Sequence, residues 1–267
     1  MTTLSIRGQK VSKGALPLVA ITAYDYSTAK LVDELVDIVL VGDSLGMVIQ
    51  GNSTTLSVTV EEMIYHSKCV ANGLKHAHLV VDMPFMSYQL SEEHALKNAG
   101  RILAEGRAHA VKLEGGVNIA KTVSRLVDTG IPVMGHIGLT PQSVHVFGGY
   151  KVQGKTAQAR ESILQDAIAL EDAGVYSIVL EGVPSDLAKA ITDRVKLPTI
   201  GIGAGRECDG QILVSQDLLA MNTDFQPKFV KQFANLGEQI KRAVSLYATE
   251  VRQRSFPDEE HSFHAHT

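Results

Sequence analysis

Asp37-Ile38-Val39-Leu40-Val41-Gly42-Asp43-Ser44-Leu45-Gly46 is the stretch on which the fold turns. It opens as a run apolar on both faces, 38–41, and breaks abruptly into Gly-Asp-Ser. A short segment with no polar face suits a parallel strand covered by helices. A carboxylate and a hydroxyl just past its end lie where α/β folds keep their chemistry. The pattern recurs. Leu79-Val80-Val81 runs into Asp82, Ala110-Val111-Lys112-Leu113 into Glu114, and Ile178-Val179-Leu180 into Glu181.

Working outward, strands are expected at 16–23, 38–41, 78–83, 110–114, 132–137, 177–181, 198–202 and 211–214. Helices are expected at 27–35 (capped by Ser27), 58–74, 91–105, from an Asn118 cap to 129, at 157–173, 185–195 and 228–252. Thr59 with Glu62 three residues on reads as a capping box; Ser91 is a cap, and Gly106 and Gly174 are helix stops. A short helix at 5–13 is expected over the barrel floor. Alternation of this kind implies a parallel sheet. A doubly wound sheet fits it too, but polar residues end strands all along the chain rather than only near one switch point. The expectation is therefore one (β/α)8 barrel spanning 1–267, with a polar tail at 256–267. The length, 267 residues, suits that fold.

Composition narrows the function. The net charge is −4 and the Lys and Arg are scattered, so no nucleic-acid or membrane partner is expected. Cys69 and Cys208 form no CxxC pair, which gives no support to zinc or dithiol chemistry. Residues 1–13 lack an apolar core segment, and no apolar stretch reaches the roughly 18 residues of a membrane span. A cytoplasmic location is the expectation. With no Trp and 5% aromatics, a stacking platform for single strands is disfavoured.

Asp43, Asp82 and Glu114 offer hard oxygen ligands for Mg²⁺; acids in these places can also cap helices. Lys112 and Glu114 are two apart and share a strand face, with Val111 and Leu113 facing the helices, so both should point inward. A buried Lys needs an anionic neighbour or substrate. Glu181 among apolar neighbours suits a general base; a structural partner for a cation is its other reading. His136, flanked by glycines, reads as a hydrogen-bond donor to a substrate oxygen, with a satisfied core histidine as the alternative. Gly201-Ile202-Gly203-Ala204-Gly205 is either a phosphate cradle or a tight strand exit. The long interval 140–156 reads as a lid. His261, His264 and His266 read as tail residues rather than a metal tract.

Longer motifs carry a resemblance. Val41-Gly42-Asp43-Ser44-Leu45-Gly46-Met47, Asp82-Met83-Pro84-Phe85, Val111-Lys112-Leu113-Glu114-Gly115-Gly116, Gly135-His136-Ile137-Gly138-Leu139-Thr140-Pro141-Gln142 and Phe147-Gly148-Gly149-Tyr150 are similar to ketopantoate hydroxymethyltransferases. So are Gly201 to Gly205 with Asp209-Gly210-Gln211, and Glu260-His261-Ser262-Phe263. The resemblance implies a barrel of the phosphoenolpyruvate/pyruvate type. It implies transfer of a hydroxymethyl group from 5,10-methylenetetrahydrofolate to 3-methyl-2-oxobutanoate, giving 2-dehydropantoate for pantothenate and coenzyme A synthesis. It also implies Mg²⁺ held by Asp43, Asp82 and Glu114, substrate contacts from Asp43, Ser44, Asp82, Lys112 and His136, Glu181 as proton acceptor, and a homo-oligomer, typically a decamer. Two departures stand out. Gly182 occupies a position where the family commonly has Cys, and the interval between Asp82 and Lys112 is slightly longer than in some relatives. The rival readings are another metal-dependent carbon–carbon lyase of 2-oxo acids, which would carry a reactive lid Cys, and a non-catalytic binding barrel.

Overall fold

A computed structural model describes residues 1–221 and 227–264. Eight parallel strands close into a barrel in sequence order. They are β1 Leu18–Thr22, β2 Ile38–Val41, β3 His78–Asp82, β4 Ala110–Glu114, β5 Val133–Gly138, β6 Ser177–Glu181, β7 Thr199–Ile202 and β8 Gly210–Leu213, with β8 returning to pair with β1. The helices are α1 Thr3–Arg7, α2 Tyr26–Val32, α3 Leu45–Val48, α4 Val60–Gly73, α5 Glu92–Ala104, α6 Ala120–Asp128, α7 Val144–Phe147, α8 Ala157–Asp172, α9 Ser185–Arg194, α10 Ser215–Leu218 and α11 Leu236–Gln253. The expected barrel is the observed one.

Strand alternation builds two apolar layers. Val39, Val41, Leu79, Val81, Val111, Leu113, Ile178 and Leu180 face the helices. Leu18, Ala20, Ile38, Leu40, Val80, Ala110, Met134, Val179, Ile200 and Ile212 fill the interior. Ile6 of α1, fully buried, joins that interior cluster and plugs the floor. The leading helix is thus where it was expected, although Gly8 ends α1 and a separate 3₁₀ turn, Val11–Lys13, follows.

Several local expectations need correction. The cap of α2 is Asp25, which accepts from the Thr28 N–H, not Ser27, which lies inside the helix. Asn118 caps no helix. It sits in a 3₁₀ turn, Val117–Ile119, and its Oδ1 accepts from the Gly116 N–H. The last helix starts at Leu236 rather than 228, because the Asn235 side chain accepts from the Glu238 N–H and sets the terminus there. The Thr59–Glu62 capping box and the Ser91 cap are present as read.

Internal contacts divide the chain into two units, Met1–Val214 and 215–267. The first is the complete barrel. The second contains α10 and α11, and no residue of α11 is buried. In the tail, His261 bonds Asp258 and His264 pairs with Glu259; His266 lies outside the described residues. Among the described residues no helix is long and apolar enough to cross a membrane.

Candidate active site

Parallel register delivers the acids to one end. β3 pairs with β4 so that Asp82 lies beside Lys112; Glu114 lies beside His136, and Gly138 beside Glu181. Each of these is the last or near-last residue of its strand, at the carboxyl end of the barrel. Asp43 and Ser44 follow β2 in the turn that opens α3. Gly42 precedes them because a Cβ there would stand 2.6 Å from Ser44 Oγ. Gly138 has φ +94°, and a Cβ there would meet the Glu181 carbonyl oxygen at 2.3 Å. Only glycine lets β5 and β6 leave the barrel this close together.

Six of the seven residues singled out in the sequence, all but Ser44, form one connected cluster. Lys112 Nζ lies 3.0 Å from Asp82 Oδ1, an ion pair off the hydrogen-bond axis, and 3.0 Å from His136 Nδ1. His136 Nδ1 is 3.5 Å from Glu114 Oε1, and its Nε2 is 3.2 Å from Glu181 Oε2. The Asp82 Oδ2 accepts the Asp43 backbone N–H at 3.1 Å. Asp43, Asp82, Lys112, Glu114 and His136 are all buried. The Glu181 side chain is the open one, 17% exposed against 3% for His136.

Four carboxylates here face one ammonium, and the electrostatics show the excess. Burial pushes Asp43 well above the usual carboxylate range, and the charges of Asp82 and Glu114 push it further. Burial likewise raises Asp82 despite Lys112 beside it. Burial disfavours the Lys112 ammonium, but Asp82, Glu114 and Asp43 outweigh it and hold the charge. Burial and Lys112 push His136 down; Glu114 and Glu181 outweigh them and lift it to about 9. Taking up that proton requires the Lys112 contact to open, because Nδ1 cannot donate toward an ammonium. With Nδ1 accepting from Lys112, the ring hydrogen falls to Nε2, which lies 3.2 Å from Glu181 Oε2 but off the hydrogen-bond axis.

This surplus of buried negative charge fits a divalent cation. So does the donor set itself, buried hard carboxylate oxygens of which Asp82 Oδ1 meets the Lys112 ammonium at 3.0 Å off the hydrogen-bond axis. Among the described residues no group of three or more His, Cys, Asp and Glu side chains stands placed to hold a metal ion; the acids are instead linked through Lys112, His136, backbone N–H groups and Gln142.

Sequence reading missed three side chains that complete the cluster. The Tyr24 hydroxyl is 2.8 Å from Ser44 Oγ. Gln142 Nε2 donates to Asp43 Oδ2 at 2.8 Å, and its backbone N–H to Glu114 Oε2 at 2.9 Å. The Tyr88 hydroxyl accepts the Glu114 N–H and donates to Gln142 Oε1. Gln142 ends a quoted motif, Tyr24 follows the first expected strand, and nothing local marks them as polar groups aimed inward. The interval 140–156 is more structured than a plain lid. It holds a 3₁₀ turn, Pro141–Ser143, then α7, which ends at Gly148 in the left-handed region, and Tyr150 OH returns to within 3.4 Å of Met47 Sδ beside the site. Gly182 also has positive φ, +55°, with a Cβ position 3.1 Å from Leu139. Glycine relieves both constraints beside Glu181.

The family profile of ketopantoate hydroxymethyltransferase matches residues 1–259. The chain belongs to that family. Among relatives of this ketopantoate hydroxymethyltransferase family member, the 3-methyl-2-oxobutanoate hydroxymethyltransferase of Clostridium beijerinckii is 56% identical over 263 residues, 98% of this chain and 95% of the relative. That of Clostridium kluyveri is 61% identical over 244 residues, 91% and 87% of the two chains. Among solved structures, phosphonopyruvate hydrolase in complex with oxalate and Mg²⁺ aligns with TM-score 0.63 at 11% identity, covering 98% of this chain and 93% of that one. A 2,3-dimethylmalate lyase of the phosphoenolpyruvate mutase/isocitrate lyase superfamily aligns with TM-score 0.62 at 16% identity, covering 98% and 89%. These two likenesses establish the shared barrel.

Proposed function

We propose that this site transfers a hydroxymethyl group from 5,10-methylenetetrahydrofolate to C3 of 3-methyl-2-oxobutanoate, giving 2-dehydropantoate for pantothenate synthesis. Membership of the family makes the chain a hydroxymethyltransferase. The observation that supports the mechanism is the contrast within the cluster: buried, crowded acids beside Lys112, and one more open acid, Glu181, at its edge.

Asp43, Asp82 and Glu114 would hold Mg²⁺. When bound, the ion supplies Lewis-acid stabilisation of negative charge on the oxygens of the 2-oxo acid. Ser44, oriented by Tyr24, donates to the substrate's carboxylate end; Asp43 and Asp82, anionic themselves, would act on it through the ion they hold. Lys112, held charged by its three acidic neighbours, meets the oxygen on which charge develops. Glu181 takes the C3 proton as general base, and the electron pair of that C–H bond delocalises onto the C2 oxygen. His136 Nε2, 3.2 Å from Glu181 Oε2, keeps that carboxylate close and offers its N–H to the same developing oxygen. The C3 carbon then bonds to the one-carbon unit of the folate as its two C–N bonds break; one water supplies the hydroxyl, and the two leaving nitrogens take up the proton held by Glu181 and the water's second proton. The lyase alternative expects a reactive Cys in the lid. Cys208 is buried and Cys69 lies in α4, outside 140–156. A cytoplasmic homo-oligomer, a decamer by family resemblance, is part of the proposal. Exposed Leu4, Leu16, Leu31 and Leu35 on the barrel unit, and Ile240, Val244, Tyr247 and Val251 along α11, support association.

The test is proton NMR of 3-methyl-2-oxobutanoate in D₂O, with and without Mg²⁺ and without folate. Metal-dependent loss of the C3 proton signal is expected, slowed about 10²–10⁴-fold in Glu181→Gln. Exchange at the parent rate in that variant rejects Glu181 as the base. No exchange by the parent, and no product once folate is added, turns the reading toward a binding barrel.

A further inference from the structure

Gln142 is the second residue of the 3₁₀ turn after β5, and it is buried. Its carboxamide has four hydrogen-bonding positions, two N–H donors and two lone pairs, and all four are occupied. Nε2 donates to Asp43 Oδ2 at 2.8 Å and to the Met83 carbonyl at 2.9 Å. Oε1 accepts from Tyr88 OH at 2.8 Å and from Gln89 Nε2 at 3.2 Å. The backbone N–H of the same residue donates to Glu114 Oε2 at 2.9 Å. One residue therefore grips two of the three acids and the main chain just beyond the third, Asp82.

The amide can sit only one way round. Flipped, its carbonyl would face the Asp43 carboxylate and its NH₂ would face the Gln89 amide donor. Tyr88 reinforces the orientation: its oxygen accepts the Glu114 N–H at 3.2 Å, and its single proton meets Gln142 Oε1 at 2.8 Å, closer than the Glu114 carbonyl at 3.0 Å. A fully satisfied buried network of this kind is rigid. The choice of an amide matters chemically. Asp43 is pressed by two like charges, and a Lys or Arg would hold it equally well. Such a cation would also cancel the charge that a metal ion needs. A neutral donor fixes the carboxylate and leaves its charge in place.

We propose that Gln142 is a positioning residue that aims the Asp43 and Glu114 carboxylates at the divalent cation without neutralising them. The inference rests on the metal reading given under Proposed function. Partners that orient ligand side chains typically carry 10–100-fold in metal affinity.

Mn²⁺ alone is the probe, titrated by the loss of its free-ion EPR signal. The parent should bind. Gln142→Met, which keeps the backbone N–H and loses the amide, should bind 10–100-fold more weakly. Tyr88→Phe, which removes only the hydroxyl that orients the amide, should show a smaller loss, several-fold, and decides the matter if Gln142→Met does not fold. Saturating Mg²⁺ should return C3 proton exchange in these variants to within a few-fold of the parent, a split that general loosening would not produce. Asp209→Asn, destabilised at the far end of the barrel, should titrate like the parent. Parent-like Mn²⁺ binding by the folded Gln142 and Tyr88 variants overturns the proposal and leaves the metal reading intact. An equal loss in Asp209→Asn also overturns it. Failure of the parent to bind Mn²⁺ sinks both.

Discussion

Asp209 stands in a motif shared with the family, yet the structure makes it a strut rather than a reactive group. It immediately precedes β8, at the floor of the barrel, opposite the acids. Its Oδ2 accepts from Lys10 Nζ at 2.8 Å and the Thr199 N–H at 3.0 Å; Oδ1 accepts from the Val11 N–H at 2.9 Å. Lys10 is 4% exposed and Asp209 1%. At 2.8 Å the charge pair is worth about 6 kcal/mol for an effective dielectric near 20, and desolvation offsets much of it. Removing one partner from a buried pair typically costs about 3–5 kcal/mol, because the other charge is left stranded. Asp209→Asn should fall in that range. Whichever way the new amide sits, its NH₂ faces a donor: Val11 N–H on one side, or Lys10 and Thr199 on the other. For a chain of this length the loss corresponds to a drop in Tm on the order of 10 °C. The assay is urea and thermal unfolding at fixed protomer concentration, with Lys10→Met and the double variant closing a cycle. A coupling energy of roughly 2 kcal/mol or more is expected. C3 proton exchange, measured well below the melting temperature, should stay near the parent rate. A stability loss under about 1 kcal/mol would refute the strut, as would a coupling near zero; a large loss of exchange in the folded variant would mean that Asp209 belongs to the chemistry after all.

Two further outcomes can be checked. Tyr24→Phe removes the hydroxyl 2.8 Å from Ser44 Oγ; one such bond is worth about 1 kcal/mol, so KM for the 2-oxo acid should rise about 3–10-fold in steady-state assays with metal saturating, and an unchanged KM would show that Ser44 needs no support. Asp33 collects the N–H groups of Lys75, His76 and Ala77, each at 2.9 Å. Burial pushes its carboxyl up, but the Ala77, His76 and Lys75 bonds outweigh that and hold it below the ordinary value. Its stabilisation is therefore complete above the unfolded pKa, about 3.9, and is lost as pH falls through the lower folded value. Asp33→Asn should be about 1–3 kcal/mol less stable near neutrality, with a flatter stability curve below pH 4. Parallel curves for parent and variant would reject the assignment.

The readable part of this protein was local. Apolar runs at strand length, capped helices between them and acids at four of the exits are encoded within a few residues of one another. Hence the barrel followed from alternating strands and helices with polar exits, and the facing of Lys112 and Glu114 from period-two alternation. Even the errors were local competitions: Asp25 took the cap read for Ser27, and Asn235 started a helix eight residues later than apolar periodicity alone suggested. What tertiary structure decided is which polar groups meet. Gln142 reaches Asp43 across 99 residues of chain, Tyr24 reaches Ser44 only because β1 and β2 are neighbours, and Lys10 finds Asp209 across 199. Those partnerships depend on strand register and barrel closure. A Gln after a strand looks the same in sequence whether it meets water or a buried carboxylate. Sequence determined the ring of acids; closure of the ring decided which of their oxygens are held, by what, and which motif residues serve the floor instead of the site.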